Sequence, residues 1–168
     1  MVPNTNRLNG VTALDMNDVW AVGLTNGDVK DQTLTEHWGG SGWTIVPSPN
    51  PGGSSALLAV GDIAQSAGFR LFKCCQCGCK WRRLGSRPGC PQVSPLFMHW
   101  DGQIWTVVDP PAGAGPQFAV AALSPSDVWS AGSGFSADNT GLFNHWDGTA
   151  WTTIPIHPLH PVVSRSER

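Results

Sequence analysis

Hydrophobic residues along this chain gather in short runs that are rich in β-branched and aromatic side chains. Each run ends at residues that favour turns, such as those at 15–18, 125–127 and 147–148. No window of about 11 residues carries the apolar period of a helix. The pattern therefore predicts an all-β chain, because such runs suit a pleated, half-buried surface. The predicted strands of the two most regular regions are 11–14, 19–24, 33–38, 43–46, 120–123, 128–133, 141–146 and 151–154.

These strands belong to a unit that recurs along the chain. The pattern H-W-x-G-x-x-W occurs at 37–43, 99–105 and 145–151, and the segment 11–23 aligns with 120–132 without a gap. A residue that recurs in every unit is expected to serve the fold rather than a reaction. We therefore predict a structural role for the repeated tryptophans and histidines. They are Trp20, His37, Trp38, Trp43, His99, Trp100, Trp105, Trp129, His145, Trp146 and Trp151.

The spacing of the units sets their size. Trp100 precedes the equivalent tryptophan of the last unit by 46 positions, the length expected of a four-stranded propeller blade. The units also resemble blades of the Kelch-like β-propellers of secreted or cell-surface bacterial proteins. The resemblance rests on N-D-V-W-A-V-G at 17–23, on the H-W hairpins and on V-P-S-P-N-P at 46–51, and covers about 9–66 and 94–156. It implies a propeller fold, but no single function, because propellers host many activities.

The middle unit departs from the pattern. Its first strand begins normally at 57, but a segment at 69–93 then replaces the expected second strand. That segment holds all five cysteines and six of the ten Lys and Arg residues. The predicted fold is a partial, open β-propeller of roughly three four-stranded antiparallel blades, the middle one interrupted. Its divisions are an N-terminal tail (1–8), blade 1 (9–50), the disrupted middle blade (51–109), blade 3 (110–156) and a C-terminal tail (157–168).

Three interpretations of the segment 69–93 are open. Four thiolates could bind zinc, although structural zinc sites usually pair two C-x-x-C motifs and Cys77-x-Cys79 is too tight for tetrahedral ligation. A disulfide-stapled loop is a second interpretation, against which the odd number of cysteines argues. The abrupt change to Arg, Cys, Gly, Pro and Ser favours the third, a stretch read out of frame with its gene. The weak candidates for zinc ligation are Cys74, Cys77, Cys79 and Cys90.

Charge and hydropathy narrow the classes of partner. The formal net charge is −2, so overall basicity does not indicate nucleic acid, and we interpret the cations of 69–93 as a solvated loop. The sequence contains no run of 18 or more apolar residues, so it predicts no membrane-spanning helix. Residues 1–7 lack the apolar core of a signal peptide, and the early first repeat indicates a fragment of a longer chain. The residues themselves indicate no cellular compartment, whereas the resemblance implies an extracellular or cell-surface setting.

The sequence offers no catalytic constellation. His37, His99 and His145 recur, and Asp18 is equivalent to Asp127, whereas a catalytic group should be singular. The remaining acids form no paired-carboxylate motif of the kind that glycoside hydrolysis needs. The motifs of serine hydrolases, phosphate-binding loops and zinc proteases are missing from the sequence as well. We therefore predict that the protein is not an enzyme and needs no cofactor.

The loops that differ between units are expected to carry function, because the blades are scaffold. They lie at 25–32, 47–55, 110–117 and 133–140, and they are rich in Gly, Ser, Pro and Asn with few charges. This favours a non-catalytic binding or structural module that presents loops to protein or glycan. One alternative is part of a sialidase-like glycan-processing enzyme, whose Asp-box the D-G-x-x-W hairpin resembles. Lys30 is essentially the one cation of the blades, which leaves that enzyme's substrate clamp missing. A truncated or frame-disrupted product with no function of its own is the other alternative.

Two further expectations concern the open arc. Most of the repeated tryptophans should be largely buried within or between blades. Three blades are too few to close a propeller, so blade edges and at least one apolar face should stay open to solvent. Exposed edges and apolar patches seek partners, and self-association through open blade edges is therefore expected.

Overall fold

The computed structural model describes residues 5–26, 30–51, 53–61, 95–134 and 141–156. Within these ranges every regular element is a strand, and the strands form three antiparallel sheets. No helix among them is long and apolar enough to cross a membrane. The strands are β1 (Asn6–Asp15), β2 (Asp18–Asn26), β3 (Asp31–Trp38), β4 (Trp43–Ile45), β5 (Phe97–Trp100), β6 (Trp105–Val108), β7 (Ala114–Ser124), β8 (Asp127–Gly134), β9 (Gly141–Trp146) and β10 (Trp151–Pro155).

The two outer sheets confirm the predicted blades. Blade 1 has the strand order β1-β2-β3-β4, and blade 3 has β7-β8-β9-β10. Their first strands are longer than the sequence predicts, since β1 begins at Asn6 and β7 at Ala114 rather than at 11 and 120. The extra residues pair with the ends of β2 and β8. Blade 1 therefore reaches into the segment predicted as a tail.

A β-bulge in each first strand fixes a glycine in the second strand. Gly23 of β2 lies opposite the bulge of β1, where an added Cβ would collide with the carbonyl oxygen of Arg7. Gly132 of β8 occupies the equivalent place, and its added Cβ would collide with the carbonyl oxygen of Pro116. The backbones approach too closely there for any side chain. The glycine that ends N-D-V-W-A-V-G in blade 1 and S-D-V-W-S-A-G in blade 3 thus has a steric cause.

The middle blade is partly described. β5 and β6 form a two-stranded hairpin equivalent to β3–β4 and β9–β10. The first strand, predicted to begin at 57, is not a regular strand in its described part, 57–61, yet this part lies between the first strands of the outer blades. Gly10 is so close to Ala59 that an added Cβ would sit 3.1 Å from its Cα, and one on Gly61 would sit 3.2 Å from Cγ1 of Val120. The segment 69–93, with its candidate cysteine ligands, lies outside the described residues.

Side chains alternate across each strand, so every blade has two faces. We call one the histidine face, which carries the repeated histidine, and the other the pair face, which carries the two tryptophans of the H-W-x-G-x-x-W hairpin. The histidine face of blade 1 packs against the pair face of the middle blade. The histidine face of the middle blade, through Phe97, packs against the pair face of blade 3. The apolar core therefore lies between the sheets, and both Phe97 and Met98 of β5 are fully buried.

Candidate functional site

Antiparallel strands place their connections at two opposite ends of the blades. The turn end carries the short connections within each hairpin, at 39–42, 101–104 and 147–150, together with the β1–β2 and β7–β8 turns. The loop end carries the connections that differ between blades. Its described residues include 46–51 and 109–113. Repeated residues therefore lie at the turn end, and variable residues lie at the loop end.

A cluster of three side chains lies near the turn end of blade 1. Asp18 Oδ1 accepts the indole N–H of Trp20 at 3.0 Å and lies 2.8 Å from Nε2 of His37. The imidazole stacks on Trp20, with 4.5 Å between ring centroids. Asp18 and Trp20 point to the same face because they are two positions apart on β2, and His37 is the cross-strand partner of Trp20.

Blade 3 repeats this cluster almost atom for atom. Asp127 Oδ1 accepts the indole N–H of Trp129 at 2.8 Å and lies 2.9 Å from Nε2 of His145. The ring centroids of Trp129 and His145 are 4.3 Å apart. The sequence showed that each of these residues recurs but not that they form one cluster. The signal was the D-x-W spacing beside a recurring histidine, since residues two apart on a strand share a face.

His99 is the equivalent histidine of the middle blade. Burial lowers the pKa of His99, an effect that the negative charge of Asp101 partly opposes. Burial disfavours the charged form, so the imidazole is neutral around pH 7. His99 precedes Trp100 of a pair face, as His37 and His145 precede Trp38 and Trp146.

Turn aspartates hold two of the three hairpins. Asp147 Oδ1 accepts the backbone N–H groups of Ala150 and Thr149 at 2.9 and 2.8 Å, and the Thr149 hydroxyl at 2.7 Å. These bonds, that of the Ala150 N–H above all, lower the pKa of Asp147 to about 2. Asp101 accepts the corresponding backbone bonds, which lower its pKa as well. Gly39 takes this place in blade 1. Carboxyls that ionise so readily are poor general acids near neutral pH.

The repeated tryptophans differ widely in exposure. Trp20 and Trp105 are buried, at 2% and 5% exposure, in the contact between blade 1 and the middle blade. The prediction of burial is wrong for Trp43, which is 50% exposed. Trp43 lies on the pair face of blade 1, and no other blade among the described residues packs there. The half-buried tryptophans are Trp38, Trp100, Trp129, Trp146 and Trp151.

Hydrogen bonds hold the loop that follows β4 at the loop end. Asn50 Oδ1 accepts the backbone N–H of Thr33 at 2.6 Å, and the hydroxyls of Thr33 and Ser48 are 2.8 Å apart. The Asn50 amide donates to the carbonyl oxygen of Ser48 at 3.2 Å. Farther along, Ser54 Oγ accepts the backbone N–H of Asp31 at 3.2 Å. The V-P-S-P-N-P linker is therefore fixed against β3, and its polar groups form an ordered surface.

A buried polar network at the centre of blade 3 reaches its loop end through Thr153. Asn144 donates through Nδ2 to Gln117 Oε1 at 3.0 Å and to Ser130 Oγ at 3.2 Å. Thr153 Oγ1 donates to Asn144 Oδ1 at 3.0 Å and also lies 3.4 Å from the carbonyl oxygen of Ala112. All but Thr153 and Ala112 are buried. The prediction of a loop at 110–117 is wrong for 114–117, because the amide of Gln117 finds buried partners within the sheet.

Cations and metal-ligating groups are few in the described part of the chain. The two cations of the described residues are Lys30 and Arg7. Arg7 belongs to blade 1 because β1 begins earlier than the sequence predicts. Arg7 is the one arginine of these ranges. The same ranges hold no group of three or more His, Cys, Asp or Glu residues that could bind a metal ion. The candidate cysteine site lies elsewhere, in 69–93.

Solved structures of similar shape identify the fold. YCF48 bound to D1 peptide matches with a TM-score of 0.56 at 17% identity, over 90% of this chain and 41% of the YCF48 chain. A fucose lectin from Kordia zhangzhouensis in complex with methyl-fucoside matches with a TM-score of 0.52 at 12% identity, over 86% of this chain and 96% of the lectin. No family model and no curated protein matches the sequence. Because the match covers 41% of the YCF48 chain, this chain spans less than half of that protein's length. Both neighbours are propeller-type folds, and at these identities the likeness shows the fold alone: the chain forms an open arc of a β-propeller.

Proposed function

We propose that this chain is a non-catalytic binding module, an arc of a Kelch-like propeller whose loop end holds a hydrogen-bonding ligand, a peptide segment or a glycan. The observation that carries the proposal is the contrast between the two ends. At the turn end, both outer blades place the same residues in the same contacts. At the loop end, the blades differ in sequence. The described loop after β4 is polar and fixed against β3, and the carbonyl oxygen of Ala112, in the loop before β7, lies within hydrogen-bonding distance of Thr153. Groups that are already ordered lose little entropy when they bind.

The repeated tryptophans and histidines are structural in this proposal. The imidazoles of His37 and His145 each lie between a carboxylate and an indole of their own blade. A group engaged in this way at two equivalent places serves the blade rather than one ligand. Specificity then belongs to the loop end, as it does on scaffolds whose loops vary.

The structural neighbours support a binding role. The YCF48 structure holds a D1 peptide, and the lectin structure holds methyl-fucoside. Peptide and sugar both offer uncharged donors and acceptors, which suit the hydroxyls and amides of the loop end. The sialidase-like alternative is weaker, because Arg7 is the one arginine among the described residues and the pKa values of Asp101 and Asp147 are lowered rather than raised.

A screen of the 168-residue chain on a glycan array and a peptide array tests the proposal. Calorimetric titration with the strongest probe then compares Asn50→Ala at the loop end with Gln103→Ala, an exposed polar residue at the turn end. Asn50→Ala should weaken binding about tenfold or more, since an ordered hydrogen-bonding group is lost. Gln103→Ala should bind like the parent.

Two outcomes would overturn the proposal. One is that no probe on either array binds a chain whose thermal transition shows that it is folded. The other is that Gln103→Ala abolishes binding while Asn50→Ala retains it, which would place the ligand at the turn end. Thermal melts of both variants show whether each remains folded.

A further inference from the structure

The two contacts between blades follow one rule. A histidine face meets the pair face of the next blade, and the centre of the first contact is aromatic. Trp20 lies 5.2 Å from Trp100 and 5.5 Å from Trp105 between ring centroids. In the second contact, Phe97 meets Trp151 edge-on at 5.3 Å. Each tryptophan pair thus receives an aromatic ring from the blade before it.

The outer face of blade 3 is a histidine face without a neighbouring blade among the described residues. Trp129 is stacked on His145 there, as Trp20 is stacked on His37 inside the chain. Phe143 lies on the same face and is 43% exposed. Its equivalent in blade 1, Thr35, lies on the face that packs against the middle blade and is 1% exposed.

The outer face of blade 1 is the matching pair face. The rings of Trp38 and Trp43 are 5.9 Å apart and tilted by 54°, against 5.1 Å and 45° for Trp100 and Trp105. The indole of Trp38 donates to the carbonyl oxygen of Met16 at 3.1 Å, which fixes its ring. The pair is therefore arranged to receive an aromatic ring, and Trp43 is half exposed where the equivalent Trp105 is buried.

We propose that two copies of this chain bind head to tail, with the histidine face of blade 3 in each copy on the pair face of blade 1 in the other. Trp129 then enters the Trp38–Trp43 pair as Trp20 enters the pair of the middle blade. The occupant is a second copy because the two open faces are the two halves of a contact that the chain already makes internally.

A contact between two different faces forms a closed ring when its rotation closes. Two arcs of three blades give six, within the range of about four to eight blades found in closed propellers. The proposal concerns assembly and is independent of the proposed ligand. In this dimer the two copies associate through their blade faces, whereas the sequence predicts association through open blade edges.

Sedimentation of the 168-residue chain in reductant is the test. The parent should give one species of twice the 17.9 kDa chain mass. Trp43→Glu and Phe143→Glu should each give monomers, because a buried charge opposes either half of the contact. Ile104→Glu is the matched control: Ile104 is 58% exposed in the β5–β6 turn, apart from both open faces. That variant should remain a dimer.

Mixing the two monomeric variants distinguishes a broken contact from a damaged fold. A mixed pair of Trp43→Glu and Phe143→Glu retains one undamaged contact, so dimers should reappear with weaker affinity. A monomeric parent would overturn the proposal. The two open faces would then be contact surfaces for further blades or for another protein. Dimers that survive either single substitution, or dissociate on Ile104→Glu, would also overturn it, as would a mixture that remains monomeric.

Discussion

Blade 1 and blade 3 are built on one pattern but bury opposite faces. Among the described residues, blade 1 packs its histidine face against the middle blade and has no blade on its pair face. Blade 3, within the same described part of the chain, packs its pair face against the middle blade and has no blade on its histidine face. Trp20 and Trp129 have the same local partners, yet only Trp20 is fully buried. The position of a blade in the arc, rather than its sequence, decides which of its repeated residues become core.

The pair faces also differ in chemistry. At the centre of blade 3 this face carries Ser130 and Asn144, joined by hydrogen bonds and fully buried. The equivalent residues of blade 1 are Ala21 and the half-buried Glu36. A polar centre is tolerated beneath another blade only when its groups satisfy one another. The comparison of the two blades can be tested at four places.

The largest effect is expected at the repeated tryptophan of the second strand. Trp20→Ala should cost roughly 3–5 kcal/mol of unfolding free energy, since it leaves a large cavity between two blades. Trp129→Ala should cost about half of that, because its ring already contacts solvent. Urea denaturation measures both, in the Trp43→Glu background so that association does not contribute. Equal losses would contradict the difference in burial between the blades.

The next effect concerns the buried amide of blade 3. Asn144→Leu should cost about 2–3 kcal/mol, because Gln117 and Ser130 lose a partner away from water. Glu36→Leu, the equivalent change in blade 1, should stay within about 1 kcal/mol, as changes at half-exposed positions do. Urea denaturation of both variants is the measurement. An Asn144→Leu protein as stable as the parent would show that the polar network contributes nothing.

The shared cluster should respond equally in the two blades. Asp18→Ala and Asp127→Ala should each cost about 1–2 kcal/mol, because an indole and an imidazole lose a common acceptor that is partly exposed. Asp18→Asn and Asp127→Asn, which keep an acceptor oxygen, should recover part of the loss. Thermal unfolding of the four variants tests this. Sensitivity in one blade alone would mean that the two clusters are not equivalent in energy.

The smallest effect is expected at the turn that only blade 3 and the middle blade support with a carboxylate. The pKa of Asp147 is lowered to about 2, so the folded state favours the ionised form. Its contribution to stability is present above the ordinary pKa of 3.8 and is lost as pH falls through about 2. The melting temperature of Asp147→Asn should therefore lie slightly below that of the parent at pH 7 and approach it near pH 2. A difference independent of pH would rule out this account.

Much of the fold follows from local pattern. The short β-branched runs and their turns predicted all eight strands of the outer blades, because a strand and its hairpin depend on neighbouring residues in the chain. The early starts of β1 and β7 were not predicted. Apart from Leu8 and Phe118, those residues are polar or small. They form strands because they pair with β2 and β8 and because Gln117 finds buried partners.

The candidate site divides in the same way. Repetition alone predicted that the tryptophans and histidines are parts of the blade, and their strand spacing predicted which of them share a face. The sequence could not show that Asp18 joins Trp20 and His37, or that Trp43 is exposed while Trp105 is buried. The alternation of a strand determines which side chains share a face, since it is set by the backbone. Whether that face is covered depends on sheets distant in sequence, and only the tertiary structure decides it.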